Sequence, residues 1–329
     1  MPTPDNTIPS DLREERPADA VPEQWVERFV PASWLPFVRL SRIDRPIGTW
    51  LLLLPCWWGI ALALAADPQS LRLETLWLVV SVAIGAVLMR GAGCTWNDYA
   101  DREFDAAVAR TRSRPIPAGQ ASPRAALIWM VAQALLAACI LFTFNVPAIL
   151  LGVASLALVC IYPFAKRVTW WPQIFLGLAF NWGIPLGWAA QVGHVPPEAW
   201  ILYLAGIVWT LFYDTIYAHQ DKEDDALIGV RSTARLFGSA TPLWLLVFLT
   251  LTVSLMGLAV ILALIEGPPF ALVAGLAGVW LFGWHLAGQL RSLDIDDPDH
   301  CLMLFRSNRD AGLMPALAFA VAAGTAIML

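Results

Sequence analysis

Two acidic runs stand out in an otherwise apolar chain. The first reads Asn97-Asp98-Tyr99-Ala100-Asp101-Arg102-Glu103-Phe104-Asp105. The second runs from Tyr213-Asp214 through Tyr217 and His219 to Asp221, Asp224 and Asp225. In the first, Asn97, Asp101 and Asp105 are spaced i, i+4, i+8, and Asp98, Asp101 and Asp105 are spaced i, i+3, i+7. On a helix either set forms one face. In the second, Asp221 and Asp225 are spaced i, i+4. Asp214 precedes Asp221 by two helical turns, so a continued helix puts all three on one face.

Carboxylates aligned on a face repel one another, and each set calls for a cation. Mg²⁺ suits such a set, because it takes oxygen from one or two carboxylates and completes its shell with substrate phosphate. Arg110, Arg112 and Arg114 follow the first run, and a guanidinium fork matches phosphate oxygens. Carboxylates with arginines imply metal plus phosphate rather than metal alone. Two such faces at one membrane depth would hold two Mg²⁺ ions across a diphosphate and neutralise it as a leaving group. The plain alternative is solvated loop charge. It suits Glu223 and Asp224, which fall off the face. Three features weigh against it elsewhere: the runs continue helices, they recur at equivalent places, and they share a side with the arginines.

Other polar residues divide between two readings. Lys166 and Arg167, after Tyr162-Pro163, fit topological anchors or a clamp for an anionic substrate. Arg39, Arg42, Asp44 and Arg45 divide in the same way. His219 fits a base, a ligand or a hydrogen-bonded surface residue, and Asn181 lines a cavity or bridges helices.

The elements that must position these groups are membrane helices. Apolar residues make up 58% of the chain and charged ones 14%, well below the roughly 25% charged share of a soluble domain. A span needs about 20 apolar residues. That length predicts about nine, at 46–66, 75–96, 123–143, 147–166, 171–192, 198–218, 241–265, 269–290 and 311–329. The fold class is all-α and polytopic. Basic residues collect in alternate loops, with only Arg72 on the opposite side. By the positive-inside rule the N-terminus and both acidic runs are cytoplasmic.

Residues 1–34 are acidic and carry no apolar core of a secretory signal. Their acidity also disfavours a transit peptide, so they read as a mobile cytoplasmic tail of a bacterial inner-membrane protein, ahead of one membrane domain at 35–329. The five cysteines are scattered without a CxxC pair, which favours free buried thiols over a zinc or disulfide framework. Nothing in the charge pattern suggests nucleic acid.

At these residues the chain resembles a known family. Asn97-Asp98-x-x-Asp101-x-x-x-Asp105, with Arg110-Thr111-x-x-Arg114-Pro115, is similar to the first motif of the UbiA superfamily of intramembrane prenyltransferases. Asp214-Thr215-x-Tyr217-Ala218-x-x-Asp221-x-x-Asp224-Asp225 is similar to the second. Arg42-x-Asp44-Arg45-Pro46-Ile47-Gly48-Thr49 and Tyr162-Pro163-x-x-Lys166-Arg167-x-Thr169-x-x-Pro172-Gln173 resemble its 4-hydroxybenzoate branch. The resemblance implies nine helices around a cavity. It implies Mg²⁺-dependent transfer from a polyprenyl diphosphate to 4-hydroxybenzoate, in ubiquinone biosynthesis. The implied metal ligands are Asn97, Asp98, Asp101, Asp105, Asp221 and Asp225, of which Asp101, Asp105, Asp221 and Asp225 are the catalytic set. The implied substrate contacts are Arg102, Arg110, Arg114, Tyr162, Lys166, Arg167, Tyr213 and Asp214. Homogentisate, a naphthoate, haem or a sugar phosphate are rival acceptors. A secondary transporter is the rival of another class, although its acids belong at the midplane rather than at helix ends.

Overall fold

The computed structural model describes residues 25–107, 111–222 and 229–329, with Trp25, Glu27, Phe104, Ala107, Lys166 and Asp221 described by their backbone alone. Every regular element among the described residues is helical. In chain order these are α1 (Trp25–Phe29), α2 (Leu35–Leu40), α3 (Ile47–Ala66), α4 (Leu73–Ala107), α5 (Pro123–Leu141), α6 (Val146–Val168) and α7 (Pro172–Asn181). They continue with α8 (Gly183–Val192), α9 (Pro197–Tyr217), α10 (Thr233–Phe237), α11 (Thr241–Leu264), α12 (Pro269–Ser292) and α13 (Pro298–Met328). Proline opens four of the long ones and the shorter α7, where its missing N–H leaves no bond unmade.

Eight of these helices are long and apolar enough to cross a bilayer. Their exposed sides are the greasy ones. On α4, Leu76, Val80, Ile84 and Val87 are exposed along one face while Leu78, Val82 and Ala86 are buried on the other. A helix apolar all round belongs in lipid, and the chain is a multi-pass membrane protein.

The expected span at 171–192 is the exception. It is two ten-residue helices, α7 and α8, broken at Trp182. Pro185 explains the break, since its ring has no N–H for the Asn181 carbonyl and would collide with it in a continuous helix. The last helix starts well before the expected residue 311, at Pro298. Asp297 caps it by accepting from the Asp299 and His300 amides, both at 3.0 Å, so the Asp294–Asp297 run is a helix start. Helix α1 lies within the expected tail, with Val26 buried. Residues 1–24 lie outside the described residues.

The chain packs as two compact units. One comprises the described residues up to Pro46 together with Leu88–Leu136, and the other comprises Ile47–Val87 with Ala137–Leu329. The smaller is built on Leu40, Ile116, Ala121 and Ala126, with Phe37 and Tyr99 against them. Its polar pin is Trp129 Nε1, which donates to Ser41 Oγ at 2.8 Å, while Ser41 donates to Gln133 at 3.1 Å. The larger centres on Trp58, Trp209 and Phe282. The two indole centroids lie 5.0 Å apart, and each indole N–H reaches α13, Trp58 to the Gly312 carbonyl and Trp209 to Asn308.

Helices α3 and α8 meet backbone to backbone in the larger unit. A Cβ built on Gly59 would lie 2.3 Å from the Ile184 carbonyl oxygen. One on Gly183 would lie 2.4 Å from Cys56 Sγ, and one on Gly187 2.6 Å from the Cys56 carbonyl oxygen. Small residues allow this approach, which supplies packing where lipid gives no hydrophobic drive between helices. Gly59→Val is expected to destabilise the protein by at least the roughly 1–3 kcal/mol of an overpacked core. Thermal melting in detergent checks it, and an unchanged melting temperature would mean the helices part without cost.

Candidate active site

Helix α4 continues unbroken past its apolar stretch to Ala107, so the first acidic run is helical as its spacing predicts. The face it buries carries Asp98, Asp101 and Asp105, at 0%, 1% and 6% exposure. Asn97, one step round the helix, is half-buried. Of the two alternative sets, the buried row is therefore the i, i+3, i+7 one.

Two arginines meet this row. Arg42 Nη2 donates to Asp98 Oδ1 at 2.7 Å. Arg114 Nη1 donates to Asp105 Oδ2 at 2.7 Å and to the same Asp98 oxygen at 3.3 Å. Asp98 Oδ2 is buried without a hydrogen-bond partner among the described residues. Arg42 stands just past the end of α2 with φ 54°. That is the left-handed position that usually ends a helix with glycine. A side chain there carries backbone strain of about 1–3 kcal/mol, and the ion pair with Asp98 is what the arginine contributes in return.

The loop after α4 delivers Arg114. Thr111 Oγ1 donates to the Asp105 carbonyl at 3.0 Å, the Arg114 amide to the Thr111 carbonyl at 2.9 Å, and the Ala118 amide to the Arg114 carbonyl at 3.0 Å. Burial raises the Asp105 carboxyl above its ordinary range. Arg114 pulls it down, and the charges of Asp98 and Asp101 push it further up. Asp44 is buried nearby in sequence and paired with Arg45 at 3.0 Å.

The other predicted residues are placed as follows. Arg102 is turned away from the buried row. It donates to the Tyr99 carbonyl at 2.9 Å, pairs with Glu103 and lies over the Tyr99 ring at 4.8 Å. Arg110 and Asp225 lie outside the described residues. The second acidic run departs from the expected continuous helix: α9 ends at Tyr217 and Ala218–Asp221 form a 3₁₀ turn. Tightening to three residues per turn breaks the spacing that put Asp214 and Asp221 on one α-helical face.

Asp214 and Tyr217 are half-buried on α9, and Tyr213 is enclosed, 5.1 Å from Trp209 and 5.8 Å from Phe305. Its hydroxyl accepts from Thr210, which accepts from Asn181 Nδ2 at 2.8 Å. Asn181 thus bridges helices. His219 is buried and shares a 3.1 Å hydrogen bond with Thr241 Oγ1, the hydrogen-bonding role among those open to it. Tyr162 is half-buried near the end of α6, where Lys166 stands, and Arg167 is exposed beside the Phe164 ring.

Two features escaped the sequence. Arg231 and Arg235 both lie over the Trp170 ring, at 5.7 and 5.4 Å, and Arg231 donates to the Val168 carbonyl at 2.7 Å. Arg90 stands half-buried inside α4. Spacing within one segment could not reveal the arginine–Trp170 cluster, because Arg231 meets a carbonyl 63 positions away.

Among the described residues no three carboxylate, imidazole or thiol groups close into a ready-made metal cage. The donor set still fits a hard divalent ion. It is all oxygen, it is buried, and Asp98 keeps an unpartnered oxygen. An ion brought with a phosphate needs only one or two protein carboxylates.

The family model for the UbiA prenyltransferase family matches residues 52–308. The chain belongs to this family. The bovine (Bos taurus) protein named 4-hydroxybenzoate polyprenyltransferase, mitochondrial, is 49% identical over 291 residues, which cover 88% of this chain and 76% of that one. Among solved structures, a UbiA homolog from Aeropyrum pernix K1 in its apo form has a TM-score of 0.68 at 22% identity, covering 83% of this chain and 97% of that one. A UbiA homolog from Archaeoglobus fulgidus bound to GPP and Mg²⁺ has a TM-score of 0.64 at 18% identity, covering 89% and 100%. Both share the fold of this chain.

The Asp98 pairing can be separated from a purely metal-binding role. Removing one partner of a buried ion pair costs about 3–5 kcal/mol. Asp98→Asn is therefore expected to lower the melting temperature of the protein in EDTA. If Asp98 served only as a metal ligand, the substitution would relieve repulsion and leave that temperature unchanged or higher.

Proposed function

We propose that this chain transfers the polyprenyl group of a polyprenyl diphosphate to 4-hydroxybenzoate, giving 3-polyprenyl-4-hydroxybenzoate and diphosphate for ubiquinone biosynthesis. One observation carries the reading. A row of buried carboxylates met by arginines closes a membrane helix in a chain 49% identical to a 4-hydroxybenzoate polyprenyltransferase.

A bound Mg²⁺ would supply neutralising charge for the diphosphate leaving group. Asp101 and Asp105, with Asn97 beside them, are the proposed holders of the ion from the first motif, and Asp221 and Asp225 from the second. Arg42 and Arg114 supply fixed positive charge toward the diphosphate oxygens, with Arg110 in the same segment. The electron pair of the breaking bond leaves with the diphosphate. The allylic cation alkylates the ring carbon ortho to the hydroxyl, and that carbon then loses its proton. Aromatic faces stabilise such a cation, and Tyr213 and Tyr217, packed against Phe305, are proposed for that role. Lys166, Arg167 and Arg102 are proposed for the benzoate carboxylate, and Tyr162 and Asp214 for further substrate contacts.

The acidic motifs are proposed to lie on the cytoplasmic side of a bacterial inner membrane. The word mitochondrial in the bovine protein's name favours the organelle's inner membrane as the second setting. In both, the long isoprenoid tail enters from lipid.

Membranes given Mg²⁺, a polyprenyl diphosphate and labelled 4-hydroxybenzoate are expected to form a lipid-soluble product, and EDTA to stop it. Asp101→Asn and Asp105→Asn are each expected to lower turnover by a hundredfold or more, in the roughly 2.7–4 kcal/mol range of a lost electrostatic stabiliser. Expression is expected to persist. Full activity in both variants, or uptake of label without product, would contradict the reading. Arg167→Ala is expected to raise the KM for one substrate, and unchanged KM values for both would make Arg167 a topological anchor.

A further inference from the structure

Arg114 stands in an unusual position for a substrate-binding residue, because an acid of the proposed metal set already holds it. Its single nitrogen Nη1 spans Asp105 at 2.7 Å and Asp98 at 3.3 Å. The backbone on either side is tied to its own loop and to the end of α4. Asp98 is fully enclosed, and its Oδ1 meets both Arg42 and Arg114. Asp105 lies two turns further along α4, two residues from its end.

We propose that Arg114 is the resident counter-cation of Asp105, seated by Asp98, and that it exchanges Asp105 for the diphosphate when a divalent ion binds. This rests on the metal–diphosphate reading and adds to it an order of events and a competitor. Three buried carboxylates share the site with two guanidinium groups, so its formal charge is −1 without metal and +1 once a dication binds. A dication on Asp101 and Asp105 makes the Arg114 charge surplus there and turns its attraction from the carboxylate to an arriving anion. The move needs only side-chain rotation, since the loop backbone is already fixed and Asp98 keeps hold of the same nitrogen. Among the described residues only Nη1 is engaged, which leaves the rest of the fork for phosphate oxygens. Arg114 thus opposes metal binding when no diphosphate is present and favours it when diphosphate arrives. Linkage makes this coupling reciprocal between the two ligands.

The experiment is Mn²⁺ binding, followed by electron paramagnetic resonance on the full chain in lipid nanodiscs, with and without geranyl diphosphate. Without the diphosphate, Arg114→Gln is expected to bind Mn²⁺ about tenfold tighter than wild type, the scale of one lost charge-assisted hydrogen bond. Arg114→Lys keeps a charge but not the fork, and is expected to show part of that gain. It also keeps the test open if the glutamine variant does not fold. With geranyl diphosphate, wild type is expected to tighten its grip on Mn²⁺ and Arg114→Gln to gain less. If wild type binds Mn²⁺ with geranyl diphosphate but neither variant binds Mn²⁺ tighter without it, this proposal fails and the functional reading stands. If wild type binds no Mn²⁺ even with geranyl diphosphate, both fail.

Discussion

Three carboxylates are buried on one face of a helix that has just left the apolar part of the chain, and the surrounding site follows from that constraint. An ionised carboxylate out of water is several kcal/mol unfavourable unless it is paired. Asp98 therefore has Arg42 and Arg114, and Asp105 has Arg114. Arg42 accepts a left-handed backbone to reach its partner. The loop after α4 folds back on the end of the helix so that Arg114 arrives at the row. A site built this way is prepared for a cation and an anion together, since the acids and the arginines are each other's neutralisers until ligands replace them.

The membrane setting explains the rest of the architecture. Helices apolar all round give a low-dielectric surround and direct access for an isoprenoid tail, while the charged machinery stays at helix ends. Polar groups inside the spans are spent on packing. Trp58 and Trp209 bind α13 through their indole N–H groups, Asn181 holds Thr210, and glycines let α3 and α8 touch. None of these carries charge, which suits groups surrounded by hydrocarbon.

Much of this was legible in the sequence, for physical reasons that also mark where legibility ends. Spans of about 20 apolar residues announce themselves, and the i, i+3, i+7 spacing of Asp98, Asp101 and Asp105 held because α4 stays α-helical to Ala107. The same logic failed on the second run, where a 3₁₀ turn after Tyr217 changed the period. The break within 171–192 was not legible, because hydropathy does not register what Pro185 does to the backbone. The Arg42–Asp98 pair joins residues 56 positions apart, and spacing within one element cannot announce a partner that tertiary structure supplies. The family resemblance covered that gap for the chemistry but not for the pairing.

The central claim is that the buried row on α4 is a charge-compensated site whose arginine gives way to metal and diphosphate. An experimental structure of the full chain with Mg²⁺ and a non-hydrolysable prenyl thiodiphosphate tests it most directly. The account predicts the ion on Asp101 and Asp105, with Asp98 still paired to Arg42 and the Arg114 fork on phosphate oxygens. An ion held elsewhere, with Arg114 still bridging Asp98 and Asp105, would contradict it.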